Sequence, residues 1–152
     1  MKPPLGDTLV ICDMDNTLLT AKEGIPACNR AVIRLYTGMG GLFTVATGRP
    51  PESIRAALGN LKLSLPAISC NGALLYDFST ESVLHRSTLN REQATTAIID
   101  ILAKFPRMGV EVVAGNGEMY VIHANEVTHA HQVDEHLGSI ACPVESVPDG
   151  WV

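Results

Sequence analysis

Residues 8–19 read TLVIC-DMDNTLL, a short apolar run that leads directly into two aspartates. The run at 8–12 is rich in β-branched residues and follows Gly6 and Asp7, which predicts a buried, central strand of a parallel sheet. Asp13 and Asp15 then lie at the carboxyl end of that strand. Open α/β sheets bind their ligands at this end, so the pattern predicts a site there.

Asp13 and Asp15 are separated by one residue, so their carboxylates point to the same side of an extended backbone. A cation or a proton is needed to offset the repulsion between two carboxylates at such a short distance. Hard carboxylate oxygens are suitable ligands for Mg²⁺. An isolated Asp-x-Asp is more often a solvated turn. The preceding strand, Thr17 after the second acid and Thr47 at the end of the next strand favour a site over a turn.

Strands and helices alternate from this point to about residue 70. A helix is predicted to begin at Pro26 and to end at a group of glycines. Its apolar positions are Ala31, Val32, Leu35 and Met39, and the glycines are Gly38, Gly40 and Gly41. A second buried strand is predicted at 42–46, a second helix at 53–58 and a third strand at 66–70. This alternation predicts an α/β fold with a parallel sheet and right-handed crossovers.

The pattern changes to α+β after about residue 72. Residues 73–77 and 82–86 are predicted to form an antiparallel pair, and 90–105 an amphipathic helix with Asn90 as its N-cap. Residues 110–114 are predicted to pair with 119–123 across a glycine-rich turn. We therefore expect a boundary near 84–88, with one unit at 1–85 and a second, incomplete module at 86–152.

The last five residues, Pro-Asp-Gly-Trp-Val, resemble a turn followed by the start of a strand. A half-sheet of three parallel strands would expose an apolar edge, which natural folds cover or pair. We therefore expect this sequence to be the front part of a longer protein. The open edge also predicts self-association of the 152-residue chain.

Composition excludes several classes of protein. With 46% hydrophobic and 18% charged residues, the 152-residue chain is not intrinsically disordered, and its net charge of −5 disfavours nucleic-acid binding. No apolar run is long enough for a membrane span, and the start of the chain lacks the features of a signal peptide. The four cysteines form no C-x-x-C pair, which predicts reduced thiols and a cytoplasmic location.

The motif Asp-Met-Asp-Asn-Thr-Leu-Leu at 13–19 resembles the first motif of the haloacid dehalogenase-like (HAD) phosphatases, D-x-D-x-T followed by apolar residues. Thr47 in V-A-T-G-R matches the family's second motif. Together with N-G-A at 71–73, it resembles the Cof-type branch, subfamily IIB, which carries a C2 cap. The resemblance implies a Rossmann-like core, partial in this chain, followed by the start of an α+β cap of the C2 type.

The resemblance also implies a role for each matching residue. Asp13 would be the nucleophile that forms an aspartyl-phosphate, and Asp15 would be the general acid and then the general base. Mg²⁺ would be held by the Asp13 carboxylate and the Asp15 backbone carbonyl. Thr47 and the backbone N–H of Gly48 would hold phosphate oxygens.

Other residues admit two interpretations. Arg49 would contact phosphate or substrate, or it is a solvated charge at a helix start. Asn71 would be a binding residue, or N-G is simply a turn. Asn16 replaces the family's usual glycine, and asparagine tolerates the positive φ that such a turn requires.

Histidines and one cysteine suggest weaker hypotheses. The histidines at 123, 129, 131 and 136 suggest a metal site, but their spacing is not that of a zinc site. Cys12 beside the nucleophile suggests redox chemistry, although a small apolar core residue is the favoured interpretation.

Two parts of the family's site are absent from the sequence, namely a later lysine and the acidic motif G-D-x-x-N-D. Lys62 and Lys104, the lysines beyond Thr47, do not fit that role. The favoured hypothesis is an Mg²⁺-dependent phosphatase of small phosphorylated metabolites, in particular sugar phosphates, of which this chain is an inactive or weakly active fragment. The alternatives are a non-catalytic half-domain that binds phosphate, Mg²⁺ or a partner, and a phosphomutase of the same superfamily.

Overall fold

The computed structural model describes residues 5–20 and 24–152, and it contains the alternating strands and helices predicted for the first half. The prediction that the start of the chain lacks the features of a signal peptide concerns residues 1–4 in part, and these lie outside the described residues. The strands are β1 (Leu9–Cys12), β2 (Leu42–Val45), β3 (Ala67–Ser69), β4 (Leu74–Asp77), β5 (Ser82–Arg86), β6 (Val110–Val113), β7 (Met119–His123) and β8 (Ser139–Ala141). The helices are α1 (Ala27–Gly38), α2 (Pro51–Leu58), α3 (Arg91–Lys104) and α4 (Glu126–Asp134).

The first half forms a parallel sheet at which the predicted site lies. β1 pairs with β2 in parallel over its whole length, from Leu9 opposite Leu42 to Cys12 opposite Val45. A single parallel bridge between Ala46 and Ile68 continues the sheet to β3. The α/β class is confirmed. The carboxyl ends of the three strands therefore meet at one edge.

The third strand differs from the expectation of a purely parallel sheet. β3 pairs antiparallel with β4, which pairs antiparallel with β5, so the three form a sheet of their own. β3 is short and is joined to β2 by one bridge only, because the chain turns sharply after Ser69 and runs back along it. The β4–β5 hairpin is as predicted.

Buried side chains from the helices and strands of the first half form one core. Its fully buried members include Met14, Val45, Ile54 and Ala67. Cys12 packs against this cluster, as expected for a small apolar residue, and burial raises the pKa of its thiol, with Asp13 adding to the effect. The core fixes the strand ends on which the site is built.

One strand that was predicted to be buried and one apolar helix face are exposed. In β1, Leu9, Val10 and Ile11 are 41–50% exposed, so the prediction of a buried central strand is wrong for this chain. In α1, Val32 and Leu35 are about two thirds exposed. The reason is that β1 has one strand neighbour among the described residues, and no described element covers these two surfaces. The apolar pattern indicates surfaces suited to burial and does not supply what buries them.

The second half contains the predicted helix and hairpin. Asn90 caps α3 by accepting a hydrogen bond from Gln93 N, and β6 pairs antiparallel with β7. Two further elements, α4 and β8, were not predicted. β8 pairs in parallel with β7 and extends this sheet. A separate cluster of buried residues, including Val112 and Tyr120, forms the core of this half.

The final residues pack into that second core without forming the predicted strand. Trp151 is 1% exposed, its indole N–H donates to Pro148 O at 2.8 Å, and the Arg91 guanidinium lies 5.0 Å from its ring centroid. Val152 N donates to Val113 O, so the backbone lies beside β6 through a single bond. The predicted boundary between 1–85 and 86–152 stays a prediction.

Among residues 5–20 and 24–152, no helix has the length and apolar character needed to cross a membrane.

Candidate active site

The two aspartates lie on a tight turn at the end of β1. Met14 and Leu18 anchor this turn in the core, and Leu19 N donates to Met14 O at 2.7 Å. The turn requires a residue with positive φ, which Asn16 supplies at 56°. Asp13 Oδ2 accepts a hydrogen bond from Thr17 Oγ1 at 3.1 Å. The turn thus holds an exposed Asp13 carboxylate at the strand end.

Thr47 lies at the end of β2 and connects the neighbouring strand ends. It is 6% exposed, its backbone N–H donates to Ile68 O, and its carbonyl accepts from Asn71 N at 3.1 Å. Its hydroxyl oxygen accepts from Arg49 N at 3.2 Å. The hydroxyl proton therefore stays available for a further acceptor.

Asn71 packs over the backbone of Gly48. Asn71 has a φ of 54°, which a tight turn after β3 requires. A Cβ placed on Gly48 would lie 3.1 Å from Asn71 Oδ1, so a larger residue at this position would require Asn71 to move by a few tenths of an ångström. The structure thus brings Asn71 together with Thr47 and Gly48, whose grouping the sequence predicted.

Arg49 spans from this edge to Asp15. Its Nη2 and Nε donate to Asp15 Oδ1 and Oδ2 at 2.7 and 2.9 Å, and its Nη1 donates to Ser53 Oγ at 2.7 Å. The hydrogen bonds from Arg49 hold the pKa of Asp15 below its usual range, although burial acts in the opposite direction. Asp15 is therefore an ionised carboxylate in this arrangement. The Arg49 side chain is 13% exposed and paired, so it is not a solvated charge, and its role in binding stays a prediction.

The second half of the chain contacts the site through Glu135. Glu135 Oε2 lies 4.0 Å from Arg49 Nη1, and its Oε1 lies 3.4 Å from His131 Nε2. His131 Nδ1 lies 2.7 Å from Glu111 Oε2. Burial lowers the pKa of His131, but the carboxylates of Glu111 and Glu135 together raise it by more, so the net shift is upward.

Sequence reasoning missed three residues that shape the site. Ser53 accepts from Arg49, and Ser69, which is fully buried, donates its hydroxyl to Arg49 O at 2.7 Å. Glu135 approaches from a distant part of the chain. Ser53 lies four residues after Arg49, a spacing typical of neighbours on a helix and the one signal that could have found it.

The histidine cluster does not assemble into a metal site. In the part of the chain that the structure describes, no three ligating side chains come together. His123 Nδ1 lies 2.7 Å from Met108 O, and His131 pairs with two glutamates. The pairing of His131 with carboxylates indicates a structural role.

An open cavity of about 680 Å³ lies beside the ion pair of Asp15 and Arg49. Asp15, Asn16, Arg49 and Ser53 line it from the first half. Asp134 and His136 line it from the second half. The lining includes the Asp15 carboxylate and the guanidinium groups of Arg30 and Arg49, and guanidinium groups suit an anionic ligand. Asp13, Thr47 and Asn71 are not among the residues that line it.

These features define a class: an open α/β protein whose candidate site lies at the ends of parallel strands, which are followed in the chain by α+β structure. The family model of the haloacid dehalogenase-like hydrolases matches residues 10–142. The chain belongs to this family.

Curated relatives and a solved structure agree with this assignment. The chain is 36% identical over 93 residues to 5-amino-6-(5-phospho-D-ribitylamino)uracil phosphatase YwtE of Bacillus subtilis, a match to 61% of this chain and 31% of that protein. It is 36% identical over 77 residues to pyridoxal phosphate phosphatase YbhA of Escherichia coli, a match to 50% of this chain and 28% of that protein.

The fold is similar to that of the subclass IIB sugar phosphatase BT4131. The TM-score is 0.73 at 22% identity, over 91% of this chain and 53% of that chain. This confirms the predicted fold class. The chain spans less than a third of each of the two curated relatives and about half of the solved structure.

Proposed function

We propose that this chain carries the nucleophile half of a phosphatase that hydrolyses phosphate monoesters through an aspartyl-phosphate on Asp13. The observation that carries the proposal is the grouping at one sheet edge. The exposed Asp13 carboxylate follows β1, the buried Thr47 hydroxyl follows β2, and Asn71 follows β3. Phosphoryl transfer depends mainly on such positioning and on charge stabilisation.

In the first step, an Asp13 oxygen attacks phosphorus and the ester P–O bond breaks. The departing alkoxide takes a proton from the Asp15 carboxyl group. In the second step, the Asp15 carboxylate takes a proton from water, which attacks the phosphorus and releases phosphate from Asp13. Asp15 must part from Arg49 before it holds a proton, because the ion pair favours its charged form.

Thr47, Gly48, Arg49 and Asn71 would hold the phosphate group. The Thr47 hydroxyl already accepts from the Arg49 backbone, so its proton points to a different acceptor. Gly48 exposes its backbone N–H near the start of α2, where helix geometry favours an anion. The Arg49 guanidinium would release Asp15 and bind phosphate oxygens instead. Its planar N–H groups bind the two oxygens of a carboxylate and those of a phosphate in the same bidentate way.

The residues present also fit a Mg²⁺ ion. Among the described residues, Asp13 Oδ1 makes no hydrogen bond, and an oxygen donor of this kind suits Mg²⁺, which keeps several waters. Both side-chain oxygens of Asp15 bind Arg49, so Asp15 would contribute its backbone carbonyl. When bound, Mg²⁺ would neutralise the charge of the phosphate against that of Asp13.

For the substrate, we propose small phosphorylated metabolites and, within these, sugar phosphates. The cavity of about 680 Å³ has the size of a small-molecule site, and its lining is largely polar. Two matched relatives bear the names of phosphatases of small phosphorylated compounds. We also propose the division at residues 85 and 86, and a cytoplasmic location in keeping with the four free cysteines.

The test is phosphate release by the native protein at its full natural length, with Mg²⁺ present. A panel of sugar and polyol monophosphates is compared for the native protein and for Asp13→Asn. We expect release that Asp13→Asn reduces by a factor of at least about 10³. Asp100→Asn, the same change on an exposed site of α3, is the control.

Two outcomes would favour the alternatives. An isomeric sugar phosphate in place of inorganic phosphate would indicate a phosphomutase. Binding of phosphate without turnover, unchanged in Asp13→Asn, would indicate a non-catalytic module.

A further inference from the structure

The cavity beside the ion pair of Asp15 and Arg49 has one wall from each half of the chain. Asp15 and Arg49 lie on the first wall, and Asp134 and His136 at the end of α4 lie on the second. Asp15 is two residues from Asp13, and Arg49 is two residues from Thr47. An ester whose phosphate is held by Asp13 and Thr47 would therefore extend past Asp15 and Arg49 into this cavity, towards the end of α4. The groups on that wall meet the alcohol part of the substrate.

The turn at residues 134–138, called here the cap turn, is held against the first half by two contacts. Gly138 N donates to Glu52 Oε2 at 3.1 Å, and a Cβ on Gly138 would lie 3.0 Å from Glu52 Oε1. Glu135 lies between His131 and Arg49, and its buried Oε2 has no hydrogen-bond partner among the described residues. These contacts fix the cap turn at the mouth of the cavity.

The charges of the cavity differ in their availability. Arg30 donates to three backbone carbonyls, and Arg49 is engaged by the side chains described above. By contrast, the side chains of Asp134 and His136 make no hydrogen bond or ion pair among the described residues. The uncommitted groups on the second wall are therefore a carboxylate and an imidazole.

We propose that Asp134 and His136 select substrates by their alcohol part, accepting neutral hydroxylated esters and rejecting esters that carry a second anionic group. This rests on the proposed phosphatase function. A carboxylate accepts hydrogen bonds from hydroxyl groups and repels a carboxylate or a second phosphate. An imidazole serves as donor or acceptor to a hydroxyl group. Arg30 keeps its positive charge, but its three nitrogens donate to backbone carbonyls of the first half, and the carboxylate on the second wall is that of Asp134. A second anion at this wall would therefore face Asp134.

The test compares two substrates that differ at one carbon: a hexitol 6-phosphate, which is neutral at C1, and a 6-phosphohexonate, which has a carboxylate there. For the native protein at its full natural length, kcat/KM is higher for the hexitol ester. Asp134→Asn raises the relative kcat/KM of the hexonate about tenfold, and Asp134→Lys raises it further. His136→Ala lowers kcat/KM for the hexitol ester about fivefold, and His136→Asn restores part of it.

The control is Glu126→Gln, which removes one negative charge from the first turn of the same helix. It is expected to leave the ratio of the two substrates unchanged. Thermal unfolding of each variant identifies any loss of the fold. A ratio that Asp134→Asn and Asp134→Lys leave unchanged in folded protein would overturn the inference while the phosphatase stands. If the native protein hydrolyses neither ester nor p-nitrophenyl phosphate, the proposed function fails, and the inference fails with it.

Discussion

Replacing Arg49 by lysine tests the ion pair at the centre of the site. Arg49 makes three side-chain hydrogen bonds of 2.7–2.9 Å, two to the oxygens of Asp15 and one to Ser53. A lysine keeps the positive charge but presents a single ammonium group, which does not span both oxygens and Ser53 together. The substitution therefore removes about two charge-assisted bonds and leaves the net charge unchanged.

The expected cost follows from the exposure of the partners. Hydrogen bonds to charged groups contribute about 1.5–3 kcal/mol each when water is excluded. The Asp15 side chain is 49% exposed, so water replaces much of this, and about 1–2 kcal/mol remains for the two bonds together. At about 2–4 °C per kcal/mol for a chain of this size, Arg49→Lys lowers Tm by several degrees.

The assay is thermal unfolding followed by circular dichroism between about pH 7 and pH 3. Because Arg49 lowers the pKa of Asp15, its contribution to stability is present above the ordinary aspartate pKa, near 4, and is lost as the pH falls through the lowered value. The difference between Arg49→Lys and the native protein should therefore shrink at low pH.

Arg34→Lys provides the control. Arg34 Nη2 donates to Asn60 Oδ1 at 2.8 Å, and both residues are exposed, so the expected change is below about 0.5 kcal/mol. Equal effects of the two substitutions, or an Arg49→Lys effect that does not change with pH, would refute the reasoning.

Three further predictions concern other residues of the two halves. Trp151→Ala should reduce the free energy of unfolding by about 3–5 kcal/mol in denaturant titrations, because the indole is buried, and a loss below about 1 kcal/mol would contradict this packing. Thr47→Val should raise KM for a phosphate ester about tenfold in steady-state kinetics, whereas Thr47→Ser, which keeps the hydroxyl, should not. His131 has a raised pKa, so its contribution to stability is present below about pH 6.5 and is lost as the pH rises through the folded value. Tm should therefore fall over that interval in the native protein and stay flatter in His131→Gln, and parallel pH profiles would refute the pairing.

Local chemistry was sufficient to predict several features of the site. Asparagine tolerates positive φ, and Asn16 has that conformation directly after the second aspartate. A side-chain acceptor before a helix favours an N-cap, and Asn90 caps α3. The ends of parallel strands meet, so Asp13 and Thr47 lie at one edge. Each of these predictions depended on neighbouring residues or on the handedness of a common connection.

Features that depend on distant packing were not predictable. The pattern of β1 indicated an apolar surface, but burial requires a covering element, and Ile11 is half exposed. Arg49 lies two residues before α2. Its pairing with Asp15, 34 residues away, depends on the side-chain rotamer that the fold allows. Glu135 reaches Arg49 because α4 packs towards the strand ends. No periodicity near residue 135 signals that contact.

The most direct test of the central claim is to trap the phosphorylated enzyme during turnover. The native protein at its full natural length is mixed with Mg²⁺ and an intact substrate that it hydrolyses, and the reaction is quenched with acid during turnover. Borohydride is then added, which reduces an aspartyl-phosphate to homoserine. Peptide mass spectrometry then locates the modified residue. The account predicts homoserine at position 13 and none in Asp13→Asn. Phosphate release with the modification at another residue, or with none in any peptide, would contradict it.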